Sequence, residues 1–162
     1  MNFEEISRRQ KEDLRLGNSR YYIYRHISNP FTWLFIKINI TPNVITSISI
    51  LLCFVGLYFL SKGSYLSIII GLLSFILFHI LDMSDGEVAR IKNKVSKTGF
   101  ILDRIGHYAY SACFAVGIGF GFAKLYGSNF YLIVGVLIAY TLVVENMVSD
   151  CKQKWNKLTG QD

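Results

Sequence analysis

None of the three cysteines, Cys53, Cys113 and Cys151, stands two residues from another. A C-x-x-C redox pair and a zinc-type cluster are both excluded, and three free thiols are expected. Residues 1–30 contain no apolar segment; Arg8, Arg9, Lys11, Arg15, Arg20 and Arg25 are spread through them instead. That pattern gives no support for a cleavable secretory signal and leaves insertion into a membrane to the first spanning helix. Gly117, Gly119 and Gly121 have no strand before them and lie deep in an apolar run, so close helix packing is expected there rather than a glycine-rich nucleotide loop.

What the chain has in quantity is hydrocarbon. Of 162 residues 52% are hydrophobic, and mean hydropathy is +0.36, values of a membrane protein of one domain. A formal charge of +6 would suggest nucleic acid as the partner of a soluble protein. Here the bases fill the gaps between apolar runs, as topology signals and lipid-headgroup contacts do, and no nucleic-acid partner is expected.

Residues 1–42 read as a cytoplasmic and interfacial lead-in. Within it FTWLFIKINI, residues 31–40, is too short to cross; with Trp33 and Lys37 it suits a helix in the headgroup layer, a buried connecting helix being the alternative. Pro42 suits a first helical turn, with Thr41 as its cap. Crossings are expected at residues 44–60, 65–81, 99–123 and 130–148, the second continuing as helix through Arg90. The expected fold is a single all-α domain: a polytopic transmembrane helix bundle over residues 43–150 with an N-terminal interfacial helix and a basic tail at 151–162. Seven Lys and Arg precede the first crossing, four (Arg90, Lys92, Lys94, Lys97) separate the second from the third, and three (Lys152, Lys154, Lys157) follow the fourth. Only Lys62 and Lys124 occupy the opposite loops, so both ends and residues 82–99 are expected on the cytoplasmic side.

Residues 81–110, LDMSDGEVARIKNKVSKTGFILDRIGHYAY, put ionisable groups beside runs long enough to span. Acids in that position cost a few kcal/mol unless partnered and are functional candidates. Asp82 and Asp85 are three apart and share a helical face, while Gly99, Asp103 and His107 recur at intervals of four and form a second stripe. Two packed helices can bring these groups into one acidic pocket, and oxygen ligands suit Mg²⁺ or Mn²⁺ between carboxylates and phosphates. Gly86 permits close approach of a ligand, and Arg90 offers a planar fork for phosphate. Of the other polar residues, Glu87 reads as solvated. Arg104 faces away from Asp103, and Glu145 either lines a pocket or emerges into water.

Asp82, Asp85, Gly86, Ala89, Arg90, Gly99 and Asp103 resemble the signature of the CDP-alcohol phosphotransferases, D-x2-D-G-x2-A-R-x8-G-x3-D-x3-D, in full register. The family's fourth Asp is His107 here. The resemblance implies a membrane enzyme of phospholipid biosynthesis. It would move a substituted phosphate from a CDP-alcohol, CDP-diacylglycerol being the commonest donor, to an acceptor alcohol with release of CMP. It further implies that Asp82, Asp85, Asp103 and His107 hold Mg²⁺ or Mn²⁺, and that Gly86, Ala89, Arg90, Ser96 and Gly99 meet the CDP portion. Asn43 and Thr46 match the family's T-P-N-x-x-T element and are either CDP contacts or capping residues. His107 can serve as ligand or as base, since imidazole ordinarily titrates near pH ~6.5. The substitution can equally mark an inactive paralogue. Members usually have six crossings and pair as homodimers, so four crossings suggest a chain truncated at its C-terminal side or a cavity closed by another subunit. A bacterial inner membrane is the expected location. Two other classes fit the acids: a small membrane protein that binds or passes cations, and a noncatalytic partner subunit.

Overall fold

The computed structural model describes residues 22–160, all the regular structure in them helical. Five helices follow one another: α1 (Tyr22–Lys37), α2 (Pro42–Leu60), α3 (Tyr65–Ile91), α4 (Lys97–Tyr126) and α5 (Phe130–Thr159). The last four are long and apolar enough to cross a membrane, so the all-α membrane architecture expected from the hydropathy pattern is borne out. The bases expected at residues 8–20 lie outside the described residues.

Helix ends depart from the apolar runs in an informative way. α1 begins before the expected interfacial segment and keeps Pro30 in its interior. A proline removes one intrahelical hydrogen bond and does not always end a helix; here Ser28, Asn29 and Thr32 around it are all buried by tertiary contacts. α1 and α3 both end at an asparagine with positive φ, Asn39 at 57° and Asn93 at 50°. Each allows the amide that follows it to turn back, Ile40 N to Phe35 O at 3.0 Å and Lys94 N to Ala89 O at 2.9 Å. Asparagine is the residue after glycine that best tolerates this left-handed closure. α5 runs on through the basic tail to Gly160, whose φ of 65° closes the helix with its N–H on Asn156 O.

The described chain divides into two compact units. The first takes in α1, α2 as far as Ser49, and Ile76–Asp103. Its interior mixes Ile45, Phe78, Leu81 and Val88 with polar side chains. Thr32 Oγ1 donates to Glu87 Oε2 at 2.7 Å, and Ser84 Oγ donates to Ile80 O at 2.8 Å. Glu87 is therefore buried, not solvated as its charge suggested. Lys92 Nζ donates to Asn39 Oδ1 at 3.0 Å and to Ile40 O at 2.8 Å, tying the end of α3 to the turn between α1 and α2. Burial, and next the ammonium of Lys94, hold Lys92 below the usual lysine range.

The second unit contains Ile50–Phe75 and the chain from Arg104 onward. Glycine sets its helix spacing. A Cβ on Gly121 would stand 2.6 Å from Leu60 O, and one on Gly135 would stand 2.8 Å from Gly119 Cα, so α2 touches α4 and α4 touches α5 backbone to backbone. This is the close packing by which membrane helices associate, and it answers the expectation for Gly117, Gly119 and Gly121. Polar pairs accompany it. Arg104 forms an ion pair with Asp150, Tyr108 Oη donates to Asp150 Oδ2 at 2.6 Å, and Asn146 Nδ2 donates to Ser111 Oγ at 2.9 Å. Phe75 meets Tyr110 and Phe114 edge to face, with ring centroids 5.5 and 5.1 Å away. Gly135→Ala is expected to destabilise the protein by about 1–3 kcal/mol, the usual cost of overpacking, read as an earlier thermal midpoint in detergent. An unchanged midpoint would show that the α4–α5 contact does not limit stability.

Candidate active site

The first unit holds a cavity of about 320 Å³ between the start of α2, the end of α3 and the start of α4. From α2 it is lined by Asn43 and Thr46; from α3 by Asp85, Gly86, Ala89 and Arg90. Ser96, Gly99 and Asp103 close it from the α4 side. Local sequence explains each wall. Pro42 takes the first turn of α2, as its fixed φ favours. Ser96 precedes α4 and caps it: Gly99 N donates to Ser96 Oγ at 3.0 Å, leaving the hydroxyl hydrogen available to the cavity. The three-residue spacing of Asp82 and Asp85 and the four-residue spacing of Gly86 and Arg90 put a carboxylate and a guanidinium on neighbouring strips of α3.

The two glycines of the cavity differ. A Cβ on Gly99 would meet Asn43 Oδ1 at 3.0 Å and Ser96 Oγ at 3.2 Å, so packing requires glycine there. A Cβ on Gly86 would have only Arg90 Nη1 near it, at 3.9 Å, and would stand in open space. Packing does not require glycine at 86; the open side is the cavity.

Asp85 is 6% exposed and accepts a hydrogen bond from Thr46 Oγ1 at 2.5 Å. Thr46, expected either to cap α2 or to meet nucleotide, donates its hydroxyl to a carboxylate on another helix, and its side chain lines the cavity. Asp82 and Asp103 offer carboxylate oxygens within 4.8 Å of each other. His107, one turn beyond Asp103 on α4, offers a ring nitrogen within 4.8 Å of the Asp103 carboxylate. Two carboxylate oxygens spaced as those of Asp82 and Asp103 fit the inner ligands of one divalent cation. Asp85 is not in that group but lines the adjoining cavity.

Four lining residues were not anticipated as contacts: Pro42, Lys94, Val95 and Phe100. Lys94 lies beyond the end of α3 and adds a second cation to the lining beside Arg90. Val95 and Phe100 are 78% and 61% exposed and give the cavity an apolar rim. Arg104 is engaged with Asp150, a residue that no spacing or motif singles out, and Glu145 is exposed. Cys53, Cys113 and Cys151 are free thiols, as expected. Replacing Thr32 by Val is expected to cost about 1–3 kcal/mol, because it takes a donor from a buried carboxylate without changing shape. Chemical denaturation in detergent measures it, and a loss too small to resolve would return Glu87 to the solvated role.

Against known proteins, the family model described as CDP-alcohol phosphatidyltransferase matches residues 39–159. No curated protein sequence matches the chain.

Proposed function

Because the chain belongs to the CDP-alcohol phosphatidyltransferase family, and so is a membrane enzyme acting on a CDP-alcohol, we propose that its donor is CDP-diacylglycerol, bound in the cavity of the first unit. The observation that carries this reading is one cavity in which Arg90 and Lys94 supply cations, Asp85 and Asp103 supply carboxylates, and Val95 and Phe100 form an apolar rim. A nucleotide diphosphate esterified to a diglyceride presents the complementary set: anionic phosphates, a polar base and sugar, and fatty chains.

Arg90 and Lys94 hold the pyrophosphate oxygens, with Gly86 leaving room for the phosphate to approach the α3 backbone. Asn43, Thr46 and Ser96 face the nucleoside, and Ala89 and Gly99 keep that wall low. Thr46 holds Asp85 in one orientation through the hydrogen bond it donates. Mg²⁺ or Mn²⁺, held by Asp82 and Asp103 with Asp85 adjoining, would neutralise charge on the diphosphate as it is split.

His107 is the base: the hydroxyl of the acceptor alcohol gives its proton to the imidazole as its oxygen forms a bond to the diglyceride-bearing phosphorus, and the bond from that phosphorus to the CMP oxygen breaks. CMP leaves with the electron pair, and the product is a phosphodiester. By the distribution of Lys and Arg, the site faces the cytoplasm of a bacterial inner membrane, where CDP-linked donors are made. By analogy with the family the assembly is a homodimer.

The test is CMP formation by the purified protein offered a panel of CDP-linked donors and acceptor alcohols, with and without chelator. CMP release from CDP-diacylglycerol that stops on chelation is the expected result. Release from a water-soluble CDP-alcohol alone would overturn the lipid donor, and cation flux without any nucleotide turnover would overturn the transferase.

A further inference from the structure

The second unit carries another concavity, of about 410 Å³, at the C-terminal ends of α2 and α4. Phe54, Leu57, Tyr58 and Ser61 line one side, at intervals of three and four that put them on one face. Phe120 and Lys124, one turn apart, line the other. The wall is apolar and uncovered: Phe54 is 53%, Tyr58 58% and Phe120 41% exposed.

Cations collect at its mouth. Lys62 Nζ lies 4.5 Å from the centre of the Tyr58 ring. A Cβ on Gly63 would come within 3.0 Å of Lys124 Cβ and of Gly121 O, so the turn after α2 is pressed against the last turns of α4 and keeps the two lysines beside one opening. Lys62 is the only Lys or Arg in residues 38–89, and Lys124 the only one in residues 105–151. No Asp or Glu occurs in residues 38–81 or 104–144. The segments around the groove, residues 38–81 and 105–144, thus supply two positive charges and no negative one.

We propose that this groove binds an anionic glycerophospholipid of the leaflet at the C-terminal ends of α2 and α4, its phosphate on Lys62 and Lys124 and an acyl chain along Phe54, Leu57, Tyr58 and Phe120. Free phosphate satisfies the lysines but leaves the aromatic wall bare, and a neutral lipid covers the wall but leaves the charge unmatched. Only an anionic amphiphile meets both. The proposal is independent of the transferase reading.

The experiment compares phosphatidylglycerol with phosphatidylcholine of identical chains on the full-length protein in detergent, by native mass spectrometry. Retention of phosphatidylglycerol is expected to be favoured by about fivefold for each lysine engaged. The combined variant Lys62→Gln and Lys124→Gln is expected to retain both lipids equally, and Lys124→Arg to keep the preference. Phosphatidylglycerol carrying a photoreactive group on its acyl chain is expected to label Phe54, Leu57 or Phe120 in the unaltered protein, so the site is tested even if a variant fails to fold. Equal retention of the two lipids by the unaltered protein would overturn the proposal. So would labelling confined to residues 82–103, or complete displacement by millimolar inorganic phosphate.

Discussion

His107→Ala is expected to lower CMP formation at least about a hundredfold, the lower end of what a positioned base contributes, whereas His107→Asp is expected to keep activity within reach of the original. Both outcomes follow from its place one turn after Asp103, where the family signature has a carboxylate. Asp supplies an anionic ligand and a weak base at that spot; Ala supplies neither. The same side chain offers a nitrogen near the Asp103 carboxylate, so metal binding has to be followed separately. Mn²⁺ affinity measured by electron paramagnetic resonance gives that control. A rate loss in His107→Ala that far exceeds the loss of Mn²⁺ affinity is the signature of the base. Indifference of the rate to both substitutions would end the assignment.

Gly86→Ala separates stability from binding by sign. The new methyl has only Arg90 Nη1 near it, at 3.9 Å, so nothing in the fold is displaced. Alanine replaces glycine inside α3, which favours the helix by about 0.5–1 kcal/mol. The methyl nevertheless enters the donor cavity, and an intruding methyl costs about 1–3 kcal/mol where shape is matched, so donor affinity falls roughly fivefold to a hundredfold. The expected result is a slightly later thermal midpoint with a raised KM for CDP-diacylglycerol. At Gly99 the same change meets Asn43 and Ser96 at 3.0 and 3.2 Å, and both stability and affinity should fall. If Gly86→Ala turned over donor like the original, the nucleotide would have to lie elsewhere.

The motif and the four long helices were legible because the signals are local. Spacings of three and four fix a face, and an apolar run of crossing length fixes a span. What escaped depended on partners distant in sequence. Glu87 follows Gly86 in the signature and carries a charge, so solvent was the natural expectation; only the arrival of Thr32, 55 residues earlier, makes it an interior residue. Arg104 and Asp150 are 46 apart and each looks like a surface charge until α4 and α5 pack. The continuation of α5 through the basic tail was hidden because hydropathy falls while helicity does not. Gly160 was the stop signal available to be read. The closures at Asn39 and Asn93 were harder, since asparagine marks turns and loops as readily as helix ends.

Lys92 joins the exits of two helices by hydrogen bonds to Asn39 Oδ1 and Ile40 O. That tie holds the foot of the cavity in place, and Val95 and Phe100 are the exposed apolar part of its rim. On the donor reading proposed above, a diglyceride nucleotide would slide in over that rim with its tails trailing in the lipid, and CMP, which has no tails, would leave straight into the water.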